Sequence, residues 1–260
     1  MSAITTHFPK AVIFDAYGTL FDVHSVVAAA EQMFPSYGDA LSQLWRQKQI
    51  EYTQLRTLAD PAGGRYQPFW NITLDALRFA AHKLGLTLDR AAEKRLMDEY
   101  ACLSAFPDAV PVLRELRRHS SAGAPPGLAI LSNGNPEMLD IAVKSAGMTG
   151  LFDHVLSVDS VRAYKPAQAA YTLGTLAFGV AAREIVFVSS NGWDAAGANW
   201  FGYTTFWLNR AGVPAEELGV TPHGTGSRMD DLLVFLRTQF SQTREAPDKS
   251  SSRTRHSPGA

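Results

Sequence analysis

The sequence is poor in several features that point to particular classes of protein. Its 260 residues include one cysteine, Cys102, which excludes an intramolecular disulfide and a multi-thiolate metal site within one chain, and favours a reducing compartment. Acidic and basic residues nearly balance, at 25 and 24, so no overall field attracts nucleic acid or an anionic membrane. A small molecule is therefore the expected partner.

Targeting and membrane signals are also missing from the pattern. The first ten residues lack a charged segment followed by an apolar one, and no apolar run reaches the ~20 residues that cross a membrane. We therefore expect a soluble, cytoplasmic protein that binds neither membrane nor nucleic acid. Cys102, which precedes Leu103, is interpreted as a small buried hydrophobe, with a thiol nucleophile as the less favoured alternative.

Short apolar runs alternate with helical patterns in the second half of the chain. Nearly continuous apolar strands separated by helices indicate a parallel sheet that is covered on both faces. The predicted fold class is α/β with a doubly wound core. Strands are predicted over 11–15, 128–134, 154–158, 185–192 and 203–209, with helices over 135–148, 166–179 and 193–202.

The segment after the first strand breaks this alternation. Residues 22 to about 106 have a helical pattern throughout, with Leu and Ala at helical spacing and almost no strand signal. An insertion that leaves the end of the first strand would cover the ligand site of such a sheet as a lid. The predicted domains are a core of 1–21 and 107–240 and a helical cap of 22–106. Residues 122–127 are predicted to form a loop, and 241–260 a disordered tail.

The first predicted strand ends in a carboxylate, Asp15, within the stretch FDAYGTL. Taken alone, an acid at a strand end is more often a cap or turn former. Here Gly18 would let the backbone approach a ligand closely, and the Thr19 hydroxyl could orient the acid. With these neighbours Asp15 becomes a candidate covalent nucleophile.

Polar residues also end the second predicted strand, in the stretch ILSNGNP. Ser132 and Asn133 precede a helix that is predicted to begin at Pro136. Ser and Asn commonly cap helices, yet small polar side chains beside a helix N-terminus can also bind an anion. A substrate carboxylate would suit such a site.

A lysine and an acid follow later strands. Lys165 precedes Pro166, which is expected at the first position of a helix. The helix dipole disfavours a cation there, so a site role is favoured over a solvated surface lysine. The stretch VSSNGWD supplies Ser189, Asn191 and Asp194. Asp194 is either a partner of the helix dipole or a residue that orients Lys165, and its neighbours favour the second interpretation.

The predicted cap helix contains the stretch LWRQKQIEYT. Its helical spacing predicts an inward face made of Leu41, Leu44, Trp45, Tyr52 and Leu55. Arg46 and Ile50 fall on the opposite side. These two residues fit ordinary surface and a helix that borders a substrate cleft about equally well.

Four ordered motifs carry a resemblance to a known family. FDAYGTL, LSNG, YKP with Tyr171 six residues after its lysine, and VSSNGWDAAGA resemble the L-2-haloacid dehalogenases of the haloacid dehalogenase superfamily. The resemblance extends from residue 11 to about residue 210. It implies a Rossmann-like core, a helical cap inserted after the first strand, and a homodimer. The implied reaction is hydrolysis of 2-haloalkanoic acids to 2-hydroxy acids with inversion at C2.

Two differences from phosphatases of the superfamily agree with that chemistry. Phosphatases carry a second Asp two positions after the nucleophile to protonate the leaving alkoxide, whereas a halide leaves without a proton and this chain has Tyr17. They also hold Mg²⁺ with further acids after the fourth motif, where only Asp194 is present here. Arg46 and Lys165 could balance the charges of nucleophile and haloacid. No metal and no other cofactor is therefore expected.

The resemblance, carried over position by position, implies a role for each candidate. Asp15 attacks C2 of the substrate to form an ester, and water then attacks the carboxyl carbon of Asp15. Ser132, backbone N–H groups and Lys165 hold the substrate carboxylate, and Arg46 and Asn191 receive the halide. The orienting residues are Thr19, Tyr171, Ser189 and Asp194.

Further substrate contacts are implied for a mainly apolar wall. Trp193 is also typical of core packing, although its position beside Asn191 and Asp194 favours a site role. The expected wall and its polar neighbours are Tyr17, Gln47, Ile50, Phe69, Asn133 and Trp193.

Two other functions compete with this one. A Mg²⁺-dependent phosphatase or phosphonate hydrolase would need the second Asp and the acidic cluster, which the sequence lacks. A non-enzymatic binding protein on a retired enzyme fold predicts the loss of a nucleophile, cation or orienting residue, whereas each of these positions is filled.

Overall fold

One parallel sheet organises the computed structural model, which describes residues 9–118 and 125–240. The strand order is β3-β2-β1-β4-β5-β6, with helices on both faces, which confirms the predicted α/β class. The strands are β1 (Ala11–Phe14), β2 (Gly127–Ser132), β3 (His154–Ser157), β4 (Ile185–Ser189), β5 (Thr204–Leu208) and β6 (Gly224–Gly226).

Strand β1 lies at the centre because all four of its side chains are apolar and buried. Ala11 pairs with Gly127 on one side and with Ile185 on the other. The chain first builds the sheet outward from β1 through β2 to β3, then returns to the other side of β1 and continues through β4. Ligands bind where this reversal opens a crevice at the carboxyl ends of the strands. The ends of β1, β2 and β4 therefore border the expected site.

The helices occupy most of the remaining described residues. They are α1 (Val27–Met33), α2 (Gly38–Ala59), α3 (Phe69–Lys83), α4 (Arg90–Ala101), α5 (Ala109–Arg118), α6 (Pro136–Ser145), α7 (Gln168–Phe178), α8 (Gly192–Phe201) and α9 (Met229–Phe240).

Helices α1 to α4, called the cap helices below, all lie between β1 and α5 in the chain. The Trp45 indole of α2 donates to the Thr73 carbonyl of α3 over 2.7 Å, which joins the two longest of them. The first turn of α3 contacts the core, because the Trp70 N–H donates to Asn135 Oδ1 just before α6, over 3.1 Å. The division into core and cap with the boundaries given above stays a prediction.

The packing of α2 corrects the expected inward face. Leu41 and Trp45 are buried as predicted, but Leu55 is 51% exposed. The buried stripe continues instead through two polar residues, Gln49 and Thr53. Helical spacing favoured Leu55 because it counts only apolar residues. It gave no indication that neighbouring helices provide hydrogen-bond partners for a buried polar side chain.

Two smaller predictions are wrong. Helix α7 begins at Gln168, so Pro166 precedes the helix and does not occupy its first position. Cys102 is exposed, because it follows the last turn of α4. Its neighbour Leu103 is buried instead. Gly18 has φ +93°, a backbone conformation that favours glycine, and its close approach to a ligand stays a prediction.

The sequence analysis did not predict strand β6, and two of its predicted segments extend beyond the residues that the structure describes. Strand β6 has three residues, two of them glycine, and it pairs with β5 in parallel. Part of the predicted loop, 122–124, and the whole predicted tail, 241–260, lie outside the described residues, and Gly127 belongs to β2. Within the described part of the chain, no helix is both long and apolar enough to cross a membrane.

Candidate active site

An ion pair network at the carboxyl ends of β1 and β4 forms the centre of the site. Asp15 follows β1 and is 5% exposed, and its Oδ1 accepts from Lys165 Nζ over 2.7 Å. The same Nζ donates to Asp194 Oδ2 over 2.6 Å and to the Leu131 carbonyl over 3.2 Å. An ammonium group has three N–H donors. All three donors of Lys165 are therefore in use.

The charge of Lys165 is held in place by its two carboxylates. Burial acts to lower the pKa of this lysine, but Asp15 and Asp194 outweigh burial and raise the pKa above its usual 10.5. Lys165 is therefore protonated across the physiological range, as a fully buried cation between two acids.

Each oxygen of Asp194 is matched by donors. Asp194 lies in the first turn of α8 and is fully buried. Its Oδ1 accepts from the Tyr171 hydroxyl over 2.8 Å, and its Oδ2 accepts from the Ser189 hydroxyl over 3.0 Å. Of the two sequence interpretations, the structure favours the one in which Asp194 orients Lys165.

The second oxygen of Asp15 is also oriented. Its Oδ2 accepts from the Thr19 hydroxyl over 3.0 Å and from Asn191 Nδ2 over 2.9 Å. The Thr19 oxygen in turn accepts the Ser190 N–H over 2.8 Å, which ties the turn after β1 to the end of β4. The carboxylate is thus held from both sides while it still borders the cavity described below.

The end of β2 brings a hydroxyl to the same place. Ser132 Oγ accepts from the Gly134 N–H over 3.0 Å, and its own proton has no acceptor among the described residues. Asn133 Oδ1 accepts the backbone N–H of Lys165 over 3.0 Å. The proton of Ser132 is therefore available to a ligand, while Asn133 positions the lysine backbone.

The cap contributes one cation. Arg46 of α2 is half-buried, and its guanidinium donates to the Tyr17 carbonyl over 3.1 Å and to Asn191 Oδ1 over 3.3 Å. No carboxylate pairs with Arg46 in the part of the chain that the structure describes. In contrast with Lys165, Arg46 forms no ion pair with a described residue, and it lines the cavity described below.

A small cavity lies between these groups. The core and the cap helices both contribute to its walls. Its lining residues are Asp15, Tyr17, Arg46, Ile50, Thr53, Phe69, Ser132, Asn133, Asn191 and Trp193.

The structure thus brings together all the predicted site residues except Gln47, either as lining or through the network around Asp15. Gln47 is exposed and does not line the cavity, since the helix turns it about 100° away from Arg46. A larger groove between α6, β3 and α7 contains no part of this network, so it is not the candidate site.

Sequence reasoning missed three polar residues of the cap. Thr53 lines the cavity, and the buried Gln49 and Tyr100 lie behind Arg46. The position of Gln49, three residues after Arg46, was the available signal, because residues at that spacing are neighbours on a helix.

Comparisons with known proteins identify the family of this chain. Residues 9–202 match the family model of haloacid dehalogenase-like hydrolases. An (S)-2-haloacid dehalogenase of Pseudomonas sp. (strain YL) is 49% identical over 213 residues, which cover 82% of this chain and 88% of the relative. The chain belongs to this hydrolase family and, within it, to the (S)-2-haloacid dehalogenase group.

Solved structures show the same likeness. The crystal structure of an L-2-haloacid dehalogenase has a TM-score of 0.85 and 62% identity, and the match covers 88% of this chain and 99% of that one. An L-2-haloacid dehalogenase from Xanthobacter autotrophicus with chloropropionic acid covalently bound has a TM-score of 0.79 and 38% identity. That match covers 88% and 98% of the two chains.

Proposed function

We propose that this chain hydrolyses (S)-2-haloalkanoic acids to (R)-2-hydroxyalkanoic acids through an ester on Asp15, without a metal ion. The observation that carries the proposal is the setting of Asp15. It is a buried carboxylate, held at both oxygens, that borders a small cavity, and the cation Arg46 lines the same cavity. The covalently bound chloropropionic acid in a relative supports an ester intermediate.

The first step is attack by Asp15 on C2 of the substrate, with departure of halide. Holding the carboxylate in one orientation lowers the entropic cost of this displacement. Inversion follows because the carboxylate approaches C2 from the side opposite the halide. Water then attacks the carboxyl carbon of Asp15, so the configuration at C2 changes only once.

The substrate carboxylate is assigned to Ser132 and to the backbone N–H groups near the N-terminus of α6. The Ser132 hydroxyl has a free proton at the cavity wall, and a helix N-terminus favours an anion. The resemblance also implied Lys165 for this role. We do not retain that assignment, because the three N–H donors of Lys165 already have acceptors.

The departing halide is assigned to Arg46. Developing charge is stabilised best by a donor that is already in place and does not have to reorganise. Asn191 supports it less directly, since its Nδ2 donates to Asp15 over 2.9 Å and to the Tyr17 carbonyl over 3.3 Å.

The donor set does not fit the Mg²⁺ of superfamily phosphatases. A hard cation needs several free oxygen ligands, but the carboxylate oxygens of Asp15 and Asp194 face Lys165 and neutral donors. Tyr17 occupies the position of the second acid. Among the described residues, no group of three His, Cys, Asp or Glu side chains could hold a metal ion.

A single-turnover reaction in heavy-oxygen water tests the pathway. The label is expected first in Asp15, whereas label in the product alone would contradict the ester intermediate. Halide release from the separate enantiomers of 2-chloropropionate tests the stereochemistry, and the S form should be preferred. Activity in EDTA, compared with activity in added Mg²⁺, tests the proposal that no metal takes part.

We also propose that the chain forms a homodimer and works in the cytoplasm. The resemblance to the family supports the dimer, and the low cysteine content supports a reducing compartment. Sedimentation equilibrium of the purified chain tests the dimer, and a monomer at micromolar concentration would contradict it.

A further inference from the structure

Arg46 is held entirely by neutral acceptors. Its Nη1 donates to Gln49 Oε1 over 2.7 Å, the shortest of its three contacts. The other two acceptors are the Tyr17 carbonyl and Asn191 Oδ1. Lys165 differs, because it has two carboxylate partners.

The amide of Gln49 has only one orientation that satisfies its neighbours. Arg46 can only donate, so the amide oxygen has to face it, and the Tyr100 hydroxyl donates to the same oxygen over 3.1 Å. On the other side Gln49 Nε2 donates to Thr73 Oγ1 over 2.7 Å. The Thr73 hydroxyl donates its proton to the Phe69 carbonyl over 2.8 Å, so its oxygen accepts from Gln49.

This network extends from α2 into α3 and α4. Gln49 is completely buried, and the ring of Tyr100 stacks on Tyr17 with centroids 5.8 Å apart and an angle of 20° between the planes. The end of the Gln49 side chain therefore has little freedom to move. Arg46, which is longer and only half-buried, takes its position from this rigid partner.

We infer that Gln49 is a positioning residue for Arg46, and that its amide keeps the charge of Arg46 available to the leaving halide. The inference rests on the proposed function, in which Arg46 receives the halide. A carboxylate at position 49 would have nearly the same shape but would form an ion pair with Arg46 and compete with the halide for its charge. A neutral acceptor fixes the guanidinium without that competition.

Gln49→Glu tests the charge, and Gln49→Met tests the acceptor. With (S)-2-chloropropionate, kcat/KM of Gln49→Glu should fall on the order of 100-fold, the size of effect seen when a charge-stabilising donor is lost. The loss with (S)-2-bromopropionate should be several-fold smaller, because bromide is the better leaving group and depends less on Arg46. Gln49→Met, which buries no charge, should show a smaller loss with the same difference between substrates.

Gln54→Glu is the matched control, since it adds the same charge to α2 but has neither a place in the network nor one in the cavity lining. It should leave both rates near those of the wild type. Inhibition by added bromide gives a second measurement, and Gln49→Glu should weaken it while Gln54→Glu should not. Thermal unfolding shows whether each variant is folded.

Equal losses for the chloro and bromo substrates in both Gln49 variants would overturn the inference, because they would indicate a purely structural role. Wild-type rates in Gln49→Glu would overturn it as well. A wild-type enzyme that releases no halide from either substrate would instead overturn the proposed function, and the inference with it.

Discussion

The core side and the cap side of the cavity hold their cations in opposite ways. On the core side, Lys165 is buried between Asp15 and Asp194, and every N–H of its ammonium has an acceptor. On the cap side, Arg46 is half-buried and has only neutral acceptors. The core cation therefore balances protein charges, whereas the cap cation remains available to a ligand.

This difference separates two tasks within one small site. A buried carboxylate needs a compensating charge before any substrate arrives, since an unpaired buried ion is costly. A leaving halide needs a charge that no protein group has already neutralised. Substitutions on the core side should therefore affect both stability and activity, and those on the cap side mainly activity.

Removal of the proposed nucleophile should have the largest effect. Asp15→Asn is expected to lower halide release from (S)-2-chloropropionate by a factor on the order of 10⁴ or more, because no ester can form. Chloride release measures the effect. Asp140→Asn is the control, because Asp140 is an exposed residue with only a surface ion pair to Lys144, and it should keep wild-type activity. Substantial activity in Asp15→Asn would contradict the role of Asp15.

Lys165→Met should lower activity and also destabilise the fold. It leaves two carboxylates buried without their cation, which typically costs about 3–5 kcal/mol of unfolding free energy. Since the pKa of Lys165 is raised, its stabilising charge is present at every pH below 10.5 and is lost only as the pH rises through that raised pKa. Urea unfolding at pH 7 measures the cost.

Lys144→Met provides the comparison for the lysine. Its ion pair is exposed, with the lysine side chain 65% accessible, so the change should be ~1 kcal/mol or less. Equal destabilisation by the two lysine substitutions would show that burial between carboxylates does not distinguish Lys165.

Arg46→Lys should lower activity about 100-fold with little loss of stability. A lysine keeps the positive charge but cannot reproduce the guanidinium's contacts with Gln49, Tyr17 and Asn191. Chloride release and urea unfolding measure the two effects. A fall in unfolding free energy as large as that of Lys165→Met would remove the contrast between the two sides of the cavity. Arg95→Lys, an exposed change on α4, is the control.

Ile50→Ala should have the smallest effect and should change specificity. Ile50 lines the cavity from α2, and the space that alanine leaves can accept a longer substrate. The ratio of kcat/KM for 2-chlorobutyrate to that for 2-chloropropionate should rise up to about 10-fold, as expected for one methylene in an apolar pocket. The exposed Ile141→Ala should leave the ratio unchanged. An unchanged ratio in Ile50→Ala would place the substrate chain elsewhere.

Much of the fold and most of the candidate site could be predicted from the amino-acid sequence. Buried parallel strands are continuous apolar runs, so β1 and β4 are visible without any tertiary information. Their polar ends converge because parallel strands place their carboxyl ends at one edge of the sheet. That rule is sufficient to gather Asp15, Ser132 and Asn191 around one cavity.

Other features depended on neighbours that are distant in the chain. Strand β6 has no apolar pattern of its own and exists because β5 offers a pairing edge. Gln49 is buried only because Thr73 and Tyr100, from two other helices, satisfy its amide. Helical periodicity cannot foresee such partners, and for that reason it favoured Leu55.

By itself, the sequence determined the α/β class, the order of the motifs and the chemical types at the site, since these follow from local patterns of apolar and polar residues. Only the tertiary structure decided that Lys165 pairs with protein carboxylates while Arg46 has neutral acceptors. The available charge of a side chain depends on which acceptors surround it, and the acceptors of Lys165 and Arg46 come from segments far apart in the chain.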